Sequence, residues 1–146
     1  MHNITVTVKD FNDLSLKELY EILRVRCEVF LLEQNIVCQD LDRVDYVSRH
    51  YYIEDDGEII AYLRAYKTDE GVQIGRVLTL KRGVGLGRRI MEYAMDDIKK
   101  NFCHKTMLLH SQTHAIGFYQ KLGFNVVSDV FDEEGVPHVT MIKEVK

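Results

Sequence analysis

The sequence predicts an α/β domain in which helices flank a single mixed β-sheet. Three observations predict this class. Strand-like and helix-like segments alternate along the chain. A glycine-rich turn near residue 85 joins an apolar strand-like run to a helix-like one, and a short apolar run near residue 108 has the character of a buried parallel strand. With 146 residues the chain has the size of one domain, so we expect residues 1–146 to form a single domain.

The first third of the chain predicts a strand, a helix and a loop. Residues 4–8 are rich in β-branched side chains and alternate as a half-buried strand does. Ser15 and Glu18 fit a capping box that starts a helix. Residues 33–49 are acid-rich and weakly periodic, which indicates a short helix followed by a loop. The positions expected on the buried face of the first helix are Leu16, Leu19, Tyr20, Leu23, Cys27 and Phe30.

The middle of the chain predicts three consecutive strands and a helix. Asp56-Gly57 supplies the positive φ angles of a tight hairpin turn between strands at residues 50–54 and 58–66. A polar break leads to a third strand at residues 72–80. The glycine-rich turn follows, and then a helix that runs to about Asn101.

The last third predicts a buried strand, a short helix and two further strands. Residues 106–110 form the short apolar strand. A helix pattern follows from Ala115 to Leu122, and Gly123 supplies its C-cap. The final strand patterns, residues 124–128 and 139–145, are joined by a polar loop.

The composition is that of an ordinary globular protein, with 46% apolar and 29% charged residues. The net charge of −4 argues against a general binder of nucleic acid or anionic membrane, which would need a positive field. The chain lacks a leader pattern and a run of ~18 apolar residues, so we expect a cytoplasmic protein. Cys27, Cys38 and Cys103 fit neither a disulfide framework nor a CxxC metal pattern.

The glycine-rich turn at residues 81–89 has the composition of an anion site. Gly83, Gly85 and Gly87 alternate between two pairs of basic residues, at the expected start of a helix. Glycines let a phosphate approach the backbone, and the first N–H groups of a helix have no partner inside it. The turn does not continue as GK[ST], and it follows the fourth strand instead of the first. These facts exclude a nucleotide-triphosphate loop and a dinucleotide fold.

Two motifs in register resemble those of the GNAT N-acetyltransferase superfamily. Its acyl-CoA loop, Arg/Gln-x-x-Gly-x-Gly/Ala, is matched by Arg82, Gly85 and Gly87. Its second element, an alanine followed by Phe-Tyr and Gly-Phe, is matched within residues 115–124, where Phe118 precedes Tyr119. The resemblance implies the GNAT-like fold and an acetyl-CoA-dependent N-acetyltransferase.

The resemblance extends to the ElaA-type branch of that superfamily. Its N-terminal signature resembles residues 24–30, then Glu33-Gln34 and an aspartate-rich stretch at residues 40–45. Its C-terminal signatures resemble residues 110–112 and 135–138. This sequence departs from the branch at residues 36–38, where a Cys-Pro-Tyr-like triplet is expected, and at Arg43, where glycine is common.

The resemblance also assigns roles to individual residues. It places the coenzyme A pyrophosphate on the glycine loop and pairs the pantetheine arm with the backbone of the preceding strand. The residues it implies for cofactor binding are Val77, Leu78, Thr79, Arg82, Gly83, Val84, Gly85, Leu86, Gly87, Arg88, Gln112, Ala115 and Tyr119. From the residues alone, Val77 and Leu78 are simply core positions.

The expected chemistry is direct attack of an amine on the thioester within a ternary complex. The N–H of Leu78 would stabilise the oxyanion, and the Tyr119 phenol would protonate or stabilise the departing thiolate. The general base stays open between Glu33, His110 and a bridged water. His110 and His114 straddle a strand-to-helix loop, so we expect no metal site. The expected partners are an amine acceptor and, as in many relatives, a second copy; no nucleic-acid or membrane partner is expected.

Two further questions stay open in the sequence. Glu33, Asp42 and Asp45 could form an acidic rim that attracts a cationic amine. Arg64 and Arg76, on adjacent strands, could instead bind an acidic group on the acceptor or pair with these acids. The alternative function is a non-catalytic acyl-CoA-binding regulatory module on the same fold.

Overall fold

A computed structural model describes residues 4–81 and 83–145, and its described part contains one sheet of eight strands flanked by helices. The predicted class is confirmed. The strands are β1 (Val6–Asp10), β2 (Arg49–Asp55), β3 (Glu58–Thr68), β4 (Gly71–Thr79), β5 (Thr106–Gln112), β6 (Asn125–Val126), β7 (Phe131–Glu133) and β8 (Val136–Glu144). The helices are α1 (Leu16–Arg26), continued by a π-helix (Cys27–Glu33), α2 (Leu86–Asn101) and α3 (Ile116–Lys121), with short 3-10 turns at Phe11–Asp13, Val44–Val47 and Thr113–Ala115.

The sheet is mixed, with strand order β1-β2-β3-β4-β5-β8-β6, and β7 also pairs with β8. Strand β4 runs parallel to β5, and the other pairings are antiparallel. The α2 crossover supplies the long connection that a parallel pair requires. No helix among the described residues is long and apolar enough to cross a bilayer.

Two hydrophobic clusters occupy the two faces of the sheet. The larger cluster joins the sheet to α2 and to the segment around Tyr119, and it includes Ile74, Leu109 and Ile90. The smaller cluster joins the other face to α1 through Ile22, Val25, Tyr62 and Leu78, with further members Val29, Tyr52 and Ile59. The two faces are therefore covered by different helices, which matters for the site described below.

Helix α1 begins as predicted but buries another face. The Ser15 Oγ accepts from the Glu18 N–H at 3.0 Å, and Glu18 Oε1 accepts from the Ser15 N–H at 2.8 Å, so the capping box is confirmed. The predicted apolar face was wrong for Leu16, 88% exposed, and Tyr20, 71% exposed, whereas Phe30 packs against the smaller cluster as predicted. The helix instead turns Ile22, Val25 and Val29 to the sheet, together with the charged Arg26. Cys27, predicted on the buried face, is exposed.

Of the two tight hairpin turns described here, the sequence predicted the first and not the second. Asp56 and Gly57 have φ angles of 52° and 81°, the two successive positive values of the predicted tight turn. A second turn of this kind, Glu134 at 53° and Gly135 at 79°, closes the β7–β8 hairpin inside the segment predicted as a loop. Strand β7 is only three residues long, so its alternation was too short to register in the sequence.

A β-bulge interrupts strand β4 at its centre. Tyr62 pairs with Leu78 and Arg64 with Gly75, so Arg76 and Val77 both lie opposite the single residue Leu63. Arg76 takes a left-handed conformation, with φ 53°, to accommodate the extra residue. The bulge shifts the alternation, which explains why Ile74 and Leu78 belong to the clusters on opposite faces despite their even spacing.

Candidate active site

Strands β4 and β5 separate at the centre of the sheet. Their parallel pairing ends at Ile74 and Leu109, although both strands continue for several residues beyond that point. A cleft of about 540 Å³ occupies the opening. Backbone groups on this side of β4 beyond Ile74 therefore face the cleft instead of a neighbouring strand. This opening can admit an extended chain between the two strands.

The bulge determines which N–H groups point into the opening. The N–H of Leu80 donates to the Ile60 carbonyl on β3 at 2.8 Å. Leu78 has the same phase in the antiparallel ladder, so its N–H is also directed at β3. Val77 belongs to the bulge, where the regular alternation is interrupted, and it lines the cleft. The N–H of Leu78, predicted as the oxyanion donor, is thus directed at β3 in this ladder, whereas the bulge residue Val77 lies beside the cleft.

Tyr119 reaches the cleft from the α2 and α3 face of the sheet. Its ring is 9% exposed and lies in the larger hydrophobic cluster, edge-on to Phe118 at 5.0 Å and to Phe124 at 6.2 Å between ring centroids. Burial raises the pKa of its phenol to about 12. The hydroxyl is therefore a proton donor, not a phenolate, at neutral pH.

His110 reaches the cleft from the opposite face. Leu109 belongs to the larger cluster, so its neighbour His110 projects to the α1 side of the sheet. It is the first β5 residue past the end of the pairing with β4, and it lines the cleft. A phenol and an imidazole thus border one opening from its two sides.

The His110 ring is held by an acid on the β7–β8 hairpin. Its Nδ1 lies 2.8 Å from Glu133 Oε1, and the hydrogen bond raises the pKa of His110 while lowering that of Glu133. The other carboxylate oxygen, Oε2, lies 3.5 Å from His138 Nε2. Glu133 was missed in the sequence because it stands in a predicted loop, far along the chain from His110.

The glycine loop has the backbone of an anion cradle. Gly83 and Gly85 have φ angles of 78° and 77°, which favour glycine, and a Cβ at either would meet no atom within 4 Å. Gly85 caps α2 without a side-chain hydrogen bond, as far as the described residues extend. The first N–H groups of this 16-residue helix therefore remain available. Val84 and Arg88 are exposed beside them, Leu86 is buried below, and Arg82 lies outside the described residues.

Gly87 lets α2 and α3 approach closely. A Cβ at this position would lie 3.3 Å from the Phe118 Cζ and 3.7 Å from the Thr79 Cγ2. The second motif element therefore packs directly on the start of α2. Ala115, one residue before α3, lines the cleft. The two motifs that are separate in sequence thus pack against each other, and the second contributes Ala115 and Tyr119 to the cleft.

The acidic loop before β2 is neutralised by arginines. Asp45 Oδ1 accepts from Arg26 Nη1 at 2.8 Å and from Arg64 Nη1 at 2.9 Å. Asp42 pairs with Arg64, and Asp40 accepts from both Arg26 and Arg76. Asp42 and Asp45 therefore do not form an acidic rim: of the two roles left open for Arg64 and Arg76, pairing with the acids is the one observed.

Two other predicted residues have contrasting positions. Gln112 lines the cleft, donates from Nε2 to Gln34 Oε1 at 2.9 Å and contacts His114 Nε2 at 2.8 Å through its own Oε1. It thereby ties β5 to the segment after the π-helix. Glu33 ends the π-helix, is exposed and is absent from the lining of the cleft, whereas its neighbour Gln34 lies in that lining.

Comparison with known proteins decides the family. Residues 26–145 match the model of the acetyltransferase (GNAT) domain. The chain belongs to the GNAT acetyltransferase family. Protein ElaA of Escherichia coli K12 is 37% identical over 141 residues, which cover 92% of each chain. The resemblance to GNAT and its ElaA-type branch is thereby confirmed.

Solved GNAT structures superpose on the whole described fold. The crystal structure of E. coli ElaA has a TM-score of 0.91 at 35% identity and covers 97% of this chain and 100% of its own. An acyl-CoA N-acyltransferase from Pseudomonas aeruginosa gives the same TM-score and identity, with 97% and 99% covered. A GNAT acetyltransferase from Elizabethkingia anophelis with acetyl-CoA bound, 17% identical with a TM-score of 0.66 and 99% and 100% covered, shares the fold.

Within this GNAT domain, the described residues hold no group of three or more His, Cys, Asp or Glu side chains that could bind a metal ion. The sequence located the glycine loop, Tyr119 and His110. It missed Glu133 and His138 as neighbours of His110, and the signal available was only the similarity of residues 135–138 to the ElaA branch. A side chain presented by a three-residue strand leaves no periodic trace.

Proposed function

We propose that this chain transfers an acetyl group from acetyl-CoA to a primary amine by direct attack in a ternary complex. The observation that carries the proposal is the opening between β4 and β5, bordered by Tyr119 on one face and His110 on the other. Acyl transfer from a thioester to an amine needs a proton acceptor on the side of the amine and a proton donor on the side of the sulfur. The cleft has such groups on its two sides.

The donor side fits an acyl-CoA. The uncapped start of α2, with Gly83 and Gly85 in left-handed conformations, offers backbone N–H groups to a pyrophosphate. Arg88, exposed in the first turn of α2, adds positive charge close to this position. The free edge of β4 offers backbone groups of Val77 and Thr79 to an extended pantetheine arm. A bound acyl-CoA would supply the activated acyl group.

The Val77 N–H is the donor we assign to the developing oxyanion. Val77 lies in the bulge directly before Leu78, whose N–H is directed at β3, and it lines the cleft. A backbone donor fixed by a bulge costs little reorganisation when negative charge develops on the carbonyl oxygen. Leu78, buried on the α1 face, has a packing role in this scheme.

Tyr119 is the proposed general acid. Because its pKa is about 12, the phenol is protonated at neutral pH and can give its proton to the departing thiolate as the carbon–sulfur bond breaks. His110 is the proposed general base. It takes one proton from the ammonium group of the acceptor, and the neutral amine then attacks the acyl carbon. As the carbon–sulfur bond breaks, the nitrogen loses a second proton, which restores the Tyr119 phenol.

The positions of the cysteines support direct attack by the amine over a route through a covalent acyl-cysteine. Cys38 lines the cleft, but burial raises the pKa of its thiol and so opposes formation of the thiolate that a covalent route requires. Cys27 and Cys103 are exposed, and neither belongs to the lining of the cleft. A primary amine is therefore the nucleophile we propose.

The test is amine-dependent release of coenzyme A. The protein is first titrated calorimetrically with acetyl-CoA, and then release of the free thiol is followed across a panel of primary amines, polyamines, amino acids and peptides. We expect binding and a thiol release that depends on the amine, with the acetylated product identified by mass spectrometry. Binding without transfer to any amine would favour the regulatory module, and no binding would contradict both.

A further inference from the structure

We infer that Glu133 is a positioning residue that orients His110 as the general base of the proposed reaction. The inference rests on the proposed function, but nothing in the acyl-CoA loop or in the Phe118-Tyr119 element bears on it. It rests on contacts among β5, β7 and β8 that only the folded sheet creates.

The contact between the two side chains fixes which nitrogen of His110 carries the proton. A carboxylate only accepts hydrogen bonds, so the Nδ1 that lies 2.8 Å from Glu133 Oε1 is the donor. In the neutral ring the proton is then on Nδ1, and the lone pair is on Nε2. This is the tautomer a base requires, with its accepting nitrogen turned away from the acid that holds it.

The hairpin holds Glu133 in place from the other side. The His138 Nδ1 donates to the Val136 carbonyl at 2.8 Å, and its Nε2 is 3.5 Å from Glu133 Oε2. The Phe131 ring meets His110 edge-on at 5.3 Å and stacks on His138 at 6.3 Å. Both imidazoles therefore pack on one aromatic ring, which limits rotation of His110 away from Glu133.

The charged groups that face His110 come from three elements. Glu133 on β7 raises its pKa through the hydrogen bond, Glu70 in the turn between β3 and β4 raises it further, and burial lowers it. His138 on β8 contacts Glu133. The dominant effect is that of Glu133, so the acid both selects the tautomer and makes His110 a stronger base.

The position of Glu133 is also fixed by the backbone of the β7–β8 hairpin. It is the last residue of β7, directly before the Glu134-Gly135 turn, where Asp132 Oδ2 accepts from the Gly135 N–H at 3.2 Å. The tight turn returns the chain to β8, whose register places His138 opposite Gln112, two residues beyond His110. The hairpin thus presents an acid to a ring on β5, which pairs with β8 as β7 does.

The test combines a proton titration with a rate profile. In Glu133→Gln the amide oxygen can still accept from Nδ1, but the negative charge is gone. We expect the pKa of His110, followed by NMR of its ring Cε1–H, to fall by roughly half a unit to one unit. The acid limb of kcat/KM for amine acetylation should move to lower pH by the same amount. Glu144→Gln, on the distant end of β8, should change neither quantity.

Glu133→Ala separates charge from orientation, since it removes both. We expect the same downward shift of the His110 pKa together with a lower plateau of kcat than in Glu133→Gln. An unchanged His110 pKa in Glu133→Gln would overturn the inference, as would a shifted pKa with an unmoved acid limb. Absence of amine acetylation in the wild type would contradict the proposed function and the inference with it, whereas the NMR titration tests the contact independently.

Discussion

Arg64 and Asp42 form a two-point ion pair, with Nη2 to Oδ2 at 2.7 Å and Nη1 to Oδ1 at 2.9 Å. Arg64 is 2% exposed on the central strand β3, whereas Asp42 lies in the loop that precedes β2. The pair therefore links the loop before β2 to the sheet. This loop contributes Asp40 and Asp42 to the lining of the cleft, so the ion pair also holds part of that lining in place.

Loss of the Asp42 charge should destabilise the fold. Burial alone would raise the pKa of Asp42, but the Arg64 guanidinium lowers it from 3.8 to about 2. We expect Asp42→Asn to lower the free energy of unfolding at pH 7 by about 1–3 kcal/mol, since among the described residues Arg64 then keeps Asp45 alone as an ion-pair partner. Urea unfolding measures the change. Asp69→Asn, an exposed turn position, is the control and should be nearly neutral.

The Arg64–Asp42 pair also makes the free energy of unfolding depend on pH in the acidic range. A pKa that is lower in the folded state means that the unfolded chain binds more protons between pH about 4 and about 2, so stability falls as the pH falls through this window. The share that Asp42 contributes to that fall is reduced by solvent screening, because its side chain is 31% exposed. Asp42→Asn should show a correspondingly flatter curve of unfolding free energy against pH. An equal slope in both proteins would rule out this contribution.

Arg43 has a backbone conformation that favours glycine. Its φ angle is 67°, in the left-handed region, and its side chain is exposed. We expect Arg43→Gly to raise the free energy of unfolding by roughly 0.5–1 kcal/mol, the strain relieved less the extra freedom of glycine in the unfolded chain. Arg43→Ala removes the same side chain but keeps the Cβ, so it should gain nothing. A gain in the alanine variant would locate the effect in the side chain instead.

The contact between Gly87 and Phe118 should tolerate no branched side chain. Gly87→Val would place its Cβ 3.3 Å from the Phe118 Cζ, before the extra methyl groups are counted. We expect a loss of roughly 1–3 kcal/mol in thermal or urea unfolding. Gly117→Val is the matched control, since a Cβ there meets nothing within 4 Å, and it should be neutral or slightly stabilising. Equal losses in both variants would contradict the packing described for the two helices.

The cysteines give a simple check on the orientation of α1. All three are exposed and unpaired among the described residues, so native protein should react with Ellman's reagent at three thiols per chain. Cys38 is exposed but lines the cleft, where partial desolvation raises the pKa of its thiol, so it should react slowly at neutral pH and faster as the pH rises. Cys38→Ser should remove that slow phase. Protection of Cys27 in the native protein would restore the predicted burial of that residue.

Local chemistry explains what the sequence could predict. The Ser15–Glu18 capping box, the Asp56-Gly57 turn and the glycine loop each depend on a few neighbouring residues, and the structure contains the first two as expected. The buried face of α1 could not be predicted from neighbouring residues. Its apolar residues surround more of the helix than one stripe, and the buried side is decided by the insertion of Arg26 among Asp40 and Asp45, which are distant in sequence.

Features that depend on assembly of the sheet also could not be predicted from the sequence. The bulge at Arg76 and Val77 is visible only in the register with β3, and it moves the proposed oxyanion donor from Leu78 to Val77. The partner of His110 comes from a strand of three residues. These positions require tertiary pairing, which no single periodicity encodes.

The most direct test of the account compares Tyr119→Phe with the wild type at saturating acetyl-CoA. We expect amine-dependent release of coenzyme A to fall roughly 10²-fold in Tyr119→Phe, because the proton donor to the thiolate is lost. The calorimetric Kd for acetyl-CoA should stay within about threefold, and Tyr20→Phe, at an exposed position of α1, should behave as the wild type. An unchanged turnover in Tyr119→Phe, or a loss explained entirely by weaker acetyl-CoA binding, would contradict the proposed role of the opening between β4 and β5.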